Sequence, residues 1–583
     1  MHCVISCLEK IHSGQSVGSP LSMKHDMRAI LDRPSVHLLI LALVSFQAYW
    51  FNISLSLFAE TEGLYAIVTH TMMANGDFVH LTARGDPYYN KPPLFFWLQA
   101  LGAQGFGWSE MALRLPSVLG SCGVIATTYG FGRLLFSPIA GFWAGLVVAT
   151  CYAGFWFGPL AIIDPVLTFF MTFGMYAWAR AYFLESSSPW YAVGCVALAL
   201  GAMVKTLHAI AMPALVFGAF LWVRRDSRVL RDRWLWIGMG LLVLLLGGYY
   251  LFLGEAFWHH FFFKENLQRL VAQVGDKQTS ALEAYWGSRP LHWYGYAIWF
   301  DAFPWSVILP AGMMVLWKQA IKIQRSGELW LLLWVMGYFL AFTLVPEKHE
   351  RYLLPLMPAI GLVVGYVYHR FFMNKEVFPA AQKILRGMLG VLGVLFGIAV
   401  FLAPLLLQKK WFLAPEVVPL FIRICFGVGG VALLGLAIRN HIRLGLLGVG
   451  MLGIGLMLVV TVFIIPGIHA EGAPREVFLE NRRWLSNSHD PIQVLQSCGW
   501  RGDEDQFYWD FYHGHFQIIG EGLSDSAAVE TLLQELREQK KLVIMMTEAQ
   551  YNGLLTTHEN FESRIVLKFH RSKQHIYVVT MQV

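Results

Sequence analysis

Charge is what this chain has least of. Only 14% of its 583 residues are Asp, Glu, Lys or Arg, where an ordinary soluble chain carries about a quarter. Meanwhile 56% are hydrophobic and 15% aromatic. That scarcity excludes a string of soluble domains. Disorder is excluded as well, since a disordered chain combines low hydrophobicity with high net charge. The formal charge of +6 is too dilute over this length to hold nucleic acid. Cysteine is sparse too, at seven residues. Cys122, Cys151, Cys195 and Cys425 lie in apolar stretches, Cys3 and Cys7 near the start, and Cys498 in the polar C-terminal part. No disulfide framework is implied.

What is abundant is apolar sequence in long runs. A membrane-spanning helix needs roughly 20 mainly apolar residues, and thirteen candidate runs precede residue 467. They centre on 37–58, 113–134, 138–158, 163–182, 190–204, 207–223, 234–254, 291–317, 328–346, 352–370, 385–406, 416–437 and 444–466. Residues 1–36 are polar and basic, and the first run lacks a small-residue cleavage site. It is expected to stay as the first helix of a polytopic protein. The basic residues of the short loops then fall on one side: Arg133, Arg180, the cluster Arg224, Arg225, Arg228, Arg231 and Arg233, then Lys318, Lys322 and Arg325, Arg370, Lys375 and Lys383, and finally Arg439 and Arg443. By the positive-inside rule that side is cytoplasmic. The loops 59–112 and 255–290, the turns at 159–163, 205–206 and 347–351, and the tail 467–583 face outward. The tail alternates strand-like runs (Ile492–Gln496, Leu542–Met546, Ile576–Met581) with a helical stretch near Ser526–Lys540, as in a small α/β domain. The expected architecture is thus an all-α polytopic domain over 37–466 followed by a small α/β domain outside the membrane. No matched halves with paired broken helices are visible, which speaks against the commonest transporter plan.

The first outward loop carries the most chemistry. It contains Glu60 and Glu62 ahead of Tyr65, then Gly76-Asp77, then Tyr88-Tyr89-Asn90-Lys91-Pro92-Pro93, and Arg114-Leu115-Pro116. Acids placed directly after a span, with a lysine held between aromatics and two prolines, suit an interfacial site. A solvated loop with a topogenic lysine is the alternative. Asp164-Pro165 opens the fourth run. A carboxylate there is costly unless it meets a polar cavity, although an N-cap followed by proline would serve the helix equally well. Tyr88, Tyr89 and Tyr352 suit either a ligand or an interface belt. Asp301 and Arg423, inside apolar runs, suit structural pairing or snorkelling. His259, His260, His292 and His349 face outward without metal-type spacing, and no metal or cofactor is assigned. The glycines at 388–397 and 427–455 sit inside helices, where they permit close packing.

Taken in order, Glu62 to Tyr65, Gly76-Asp77, Lys91-Pro92-Pro93, Arg114-Leu115-Pro116, Asp164-Pro165, Glu265-Asn266-Leu267 with Arg269, Pro304-Trp305, and Lys348 with Arg351-Tyr352-Leu353-Leu354-Pro355 resemble the bacterial branch of the protein mannosyltransferase family. That branch includes the aminoarabinose transferases of lipid A, with the fold called GT-C. The resemblance covers roughly residues 37–370.

It implies a glycosyltransferase of the bacterial inner membrane, its N-terminus cytoplasmic and its tail periplasmic. The donor would be a polyprenyl-phosphate sugar, the acceptor a lipid A-type glycolipid or a protein, and the anomeric carbon would be inverted. Membrane lipids and these substrates are the implied partners, and a monomer is expected. Lys91, Arg269, Lys348 and Arg351, with Tyr352, would hold the donor phosphate, and Tyr88, Tyr89 and Glu60 could touch sugar or phosphate. Glu62 and Asp164 would activate or orient the acceptor. Family members usually place an Asp-Glu pair where this chain has Thr61-Glu62, and the lipid A branch often has arginine where it has Leu64. Glu62 is therefore the better aligned acid and Glu60 a reserve. The rival reading is a transporter of lipid-linked sugar without transferase chemistry.

Overall fold

The computed structural model describes residues 33–55, 60–83, 86–184, 187–258, 292–322, 326–345, 348–372, 378–411 and 419–467, and five strands beyond them. Among these, seven helices are long and apolar enough to cross a membrane: Glu110–Leu135, Arg233–Gly254, Ser326–Leu344, Glu350–Phe372, Pro379–Ile398, Leu420–Ile438 and Ile442–Gly467. Pro34–Trp50, Pro138–Thr150, Trp190–Val204 and His208–Arg224 are shorter apolar helices. Ile163–Leu184 carries Asp164 in its first turn.

Two expected elements take another form. The run at 291–317 is not one straight helix: Trp293–Asp301 and Trp305–Ile321 meet at 112°, with Pro304 in the break and no N–H to continue the ladder. The segment 59–112, read from the sequence as an outward loop, is largely helical in its described residues, holding Glu60–Asn75 and Leu94–Phe106 joined by a two-stranded hairpin, β1 (Thr82–Ala83) and β2 (Asp86–Pro87). Its motifs explain the turns. Gly76 takes a positive φ of 67° directly after the first of these helices, the conformation that stops a helix without a side-chain penalty. Asp77 Oδ1 then accepts the amides of Val79 and His80 at 3.0 and 2.9 Å, an Asx-type turn. Two backbone amides, with the His80 side chain, hold the Asp77 carboxyl below its usual pKa.

Lipid removes the hydrophobic drive between helices, so close approach of backbones decides the packing. Gly120 faces the backbone of Val166 so closely that a Cβ there would lie 3.0 Å from the Val166 Cα. Gly361 meets the Ala144 carbonyl in the same manner, at 2.6 Å. At one end of the bundle Tyr366 donates to Glu328 Oε1 and receives from Arg370 Nε, each at 3.0 Å, and Ser137 pairs with His369 at 2.9 Å. Tyr182 donates to Asp226 there. Arg133, Arg224 and Arg370 lie in the last turns of helices, where cations oppose the negative helix end. Glu62 and Asp164 pair with other cations, Arg114 and Lys205.

Beyond residue 467 five strands form one sheet in the order β4 (Phe516–Ile519), β3 (Ile492–Gln496), β5 (Leu542–Thr547), β7 (Gln574–Met581), β6 (Ser563–Arg571). The first three are parallel and the last two pair antiparallel. The three strand-like runs read from the sequence fall on β3, β5 and β7. The expected helix near 526–540 lies outside the described residues, as do Cys3, Cys7 and Cys498.

Candidate active site

The start of the Ile163–Leu184 helix organises the site. Asp164 is buried, 2% exposed, and such a carboxylate is costly without a partner. Its Oδ1 receives Lys205 Nζ at 2.6 Å, and its Oδ2 lies 4.0 Å from Arg351 Nε. The ammonium of Lys205 also sits 4.3 Å from the centre of the Tyr352 ring, a cation–π geometry strengthened where water is excluded. Arg351 reaches on to Thr61 Oγ1, donating from Nη1 at 3.0 Å. Two segments far apart in sequence thus meet at one carboxylate, the turn between two apolar helices and the 348–352 turn, and Arg351 ties them to the start of the Glu60–Asn75 helix.

Tyr65 extends this cluster. Burial comes first in holding its hydroxyl neutral, well above the ordinary phenol pKa; Tyr88 and Asp164 push the same way, and Arg351 opposes them. Lys91 lies close enough for its charge to act on His208, together with Lys205 and Asp164. Lys91 Nζ donates to the Asn90 carbonyl at 2.8 Å, on the loop that leads into Leu94–Phe106. Lys348 is buried, 4% exposed, and burial pulls its ammonium below the usual lysine range. Tyr88 is buried against Phe96, their ring centres 6.0 Å apart, and Tyr89 is half-buried.

Glu62 is placed differently from a free base. Its two oxygens take Arg114 Nε and Nη2 at 2.9 and 3.1 Å, and Oε1 also accepts the Ala161 amide at 2.7 Å. Both side chains are almost wholly buried. Arg114 spends its remaining donor, Nη1, on the carbonyl of Leu55 at 2.6 Å, with those of Asn52 and Ile53 at 3.3 and 3.4 Å. The pair therefore ties the end of the first helix, the Glu60–Asn75 helix and the strand of chain leading to Asp164. Ser117, three residues on, donates to the Ile162 carbonyl at 2.7 Å. Bidentate geometry of this kind fixes orientation as well as charge.

The structure thus links Asp164 to Arg351 and, through Lys205, to Tyr352, leaves Lys91 acting by charge on His208, and turns Glu62 toward Arg114. Glu60 opens its helix, but its side chain lies outside the described residues, as does Arg269. Sequence reasoning missed Lys205, Arg114 and His208 as members. Arg114 was visible in a motif, and Lys205 was a lone cation in a two-residue turn. Among the described residues no group of three or more His, Cys, Asp or Glu is arranged to hold a metal ion.

Comparison with known proteins follows the same lines. The family model for dolichyl-phosphate-mannose-protein mannosyltransferase matches residues 90–248. An undecaprenyl phosphate-alpha-4-amino-4-deoxy-L-arabinose arabinosyl transferase of Erwinia tasmaniensis is 26% identical over 376 residues, 63% of this chain and 64% of the relative. Its counterpart in Edwardsiella ictaluri is 26% identical over 61% of this chain and 62% of that one. The matched part thus spans a little under two thirds of these relatives. ArnT from Cupriavidus metallidurans, crystallised with undecaprenyl phosphate, superposes with a TM-score of 0.68 at 19% identity, covering 94% of this chain and 97% of that one. The apo oligosaccharyltransferase of Archaeoglobus fulgidus superposes with a TM-score of 0.51 at 13% identity, over 88% and 69%. The chain is similar to the aminoarabinose transferases and has their GT-C fold.

Proposed function

We propose that this protein is a membrane glycosyltransferase that moves a sugar from a polyprenyl-phosphate donor to an envelope acceptor, on the outer side of the inner membrane. The observation that carries this reading is the buried Asp164 carboxylate flanked by Lys205, which lies over the Tyr352 ring, and by Arg351. Cations outnumber acids there, which suits a bound phosphate. As the anomeric carbon is attacked, negative charge grows on the departing phosphate, and fixed cations in a partly dehydrated cleft stabilise that charge. Lys91, Lys205, Lys348 and Arg351 would hold it, with Arg269 from the second outward loop. Asp164 would keep Lys205 and Arg351 charged and aimed, and orient the incoming nucleophile. Glu62, through Arg114 and the Ala161 amide, positions the chain leading to Asp164. The displacement is single and inverting.

The relatives' names support a 4-amino-4-deoxy-L-arabinose-type sugar, a pentose; a lipid A-type acceptor is what the sequence resemblance implies, and a protein acceptor would add a hydroxyl proton to be removed. The count of about thirteen spans, a cytoplasmic segment 1–36, a periplasmic domain over 467–583 and a monomeric state belong to the same reading. Purified protein with undecaprenyl-phosphate sugar and a lipid A acceptor tests it. Asp164→Asn should abolish transfer while leaving undecaprenyl phosphate bound. Full turnover by that variant would refute the role given to Asp164, and binding of donor with no transfer by the unaltered protein would refute the transferase reading in favour of a transporter.

A further inference from the structure

His208 has no part in the mechanism so far, yet it stands inside the site. It opens the His208–Arg224 helix three residues after Lys205 and is half-buried. The charges that act on its ring come from three elements: Lys205 in the preceding turn, Asp164 from the Ile163–Leu184 helix, and Lys91 from the outward loop. Its Nδ1 is hydrogen-bonded to Thr206 Oγ1. A neutral imidazole has one donor and one acceptor nitrogen, and the partner of one nitrogen decides the role of the other. A threonine hydroxyl rotates to donate where an acceptor is offered. When it donates to Nδ1, the ring hydrogen stays on Nε2.

Resting on the transferase reading, we propose that His208, its tautomer set by Thr206, donates its Nε2–H to a phosphate oxygen of the polyprenyl-phosphate donor held between Lys91 and Lys205. No proton changes place. The bond from the anomeric carbon to the phosphate oxygen breaks with its electron pair on the phosphate, while the new bond forms to an already anionic phosphate oxygen of the acceptor, and Nε2–H solvates the charge that leaves. A hydrogen bond to a charged group carries enough energy to change binding by about 10- to 100-fold.

The amide nitrogen of glutamine can reach the place of Nε2, whereas that of asparagine falls nearer Nδ1. The full-length protein in nanodiscs is therefore tested as His208→Gln, His208→Asn and Thr206→Val, with undecaprenyl phosphate as the binding probe and sugar transfer as the second readout. Undecaprenyl phosphate binding should fall about 10- to 100-fold in His208→Asn and stay within about threefold of the unaltered protein in His208→Gln. Thr206→Val should lower kcat with little change in thermal unfolding. Equal loss in the Gln and Asn variants, or unchanged binding in the Asn variant, overturns the proposal. The unaltered protein and Asp164→Asn run alongside separate the two levels. Absence of transfer by the unaltered protein removes the transferase reading itself, and transfer by the unaltered protein, lost in Asp164→Asn, beside a His208→Asn variant that binds normally removes only the histidine's role.

Discussion

Glu62→Gln distinguishes a general base from a positioning residue by measurement. In the structure the carboxylate accepts two hydrogen bonds from Arg114 and one from the Ala161 amide. Glutamine keeps one acceptor oxygen. Its NH2 must then face Nη2 of Arg114 or the Ala161 amide, donor against donor, and the buried guanidinium loses its counter-charge. Removing one partner of a buried ion pair costs about 3–5 kcal/mol. Part of that loss is offset by the carbonyls of Asn52, Ile53 and Leu55, which stay bonded to Nη1, so the lower end of the range is expected. The variant should therefore unfold at a distinctly lower temperature in detergent. It should also lose kcat, because a displacement of about 1 Å at a reacting group costs roughly 100-fold. Arg114→Ala should reproduce both effects. Fluorescence-monitored thermal unfolding and a radiolabelled transfer assay on the same preparations provide the test. A Glu62→Gln protein as stable as the unaltered one but without turnover would refute the positioning argument and make Glu62 the base.

Three further outcomes follow from particular contacts. Burial lowers the pKa of Lys348, so its charge is lost on raising pH before the ordinary lysine value of about 10.4 is reached; undecaprenyl phosphate affinity should decline over that alkaline window. Lys348→Arg, always protonated, should hold affinity to higher pH, and superimposable profiles would show that residue 348 does not meet the phosphate. Gly120→Val should push against the Val166 backbone, cost about 1–3 kcal/mol by overpacking and lower kcat by shifting Asp164, whereas unchanged kcat would mean the helix start tolerates movement. Arg370→Met, at the other end of the bundle, should cost about 1–3 kcal/mol by leaving Tyr366 without its buried donor. Its KM should not move, and a raised KM would contradict the separation of the two ends.

How much of this was legible depends on whether a residue's signal was local. Apolar runs of membrane length announce themselves, and strands β3, β5 and β7 follow from β-branched stretches read two residues at a time. Asp164 was legible because a carboxylate next to a span is expensive wherever it points. Lys205 was not, since its value comes from Asp164, 41 residues earlier, and a two-residue turn between apolar helices reads as a mere connection. Charge at an outward turn should have raised the same question as Asp164 did. Arg114 was legible as a motif and illegible as a partner: its carboxylate is 52 residues away, and nothing in spacing pairs them. The break near Pro304 was written in the sequence, but hydrophobicity alone made one span of both pieces. His208 vanished into an apolar run because one polar residue does not disturb a window average.

Thr61 is where the chain departs from the pattern it resembles, and the contact made there bears on the chemistry. A carboxylate at that position would stand within reach of Arg351, which already leans toward Asp164 at 4.0 Å. Two acids around one guanidinium would draw it away from a phosphate. The threonine hydroxyl orients Arg351 through a neutral bond and sets no second negative charge beside it. The same exchange removes a base. With Glu62 bound to Arg114 and Asp164 bound to Lys205, the described carboxylates around Thr61 are engaged by cations, and neither is poised to take a proton from an alcohol. An acceptor that is already anionic needs no such help, because its nucleophile exists at neutral pH. The surplus of fixed positive charge then acts twice, drawing in the anionic acceptor and stabilising the phosphate that leaves. Among the described residues, a site whose cations hold both Glu62 and Asp164 is thus consistent with transfer onto a phosphate, and poorly matched to transfer onto a hydroxyl.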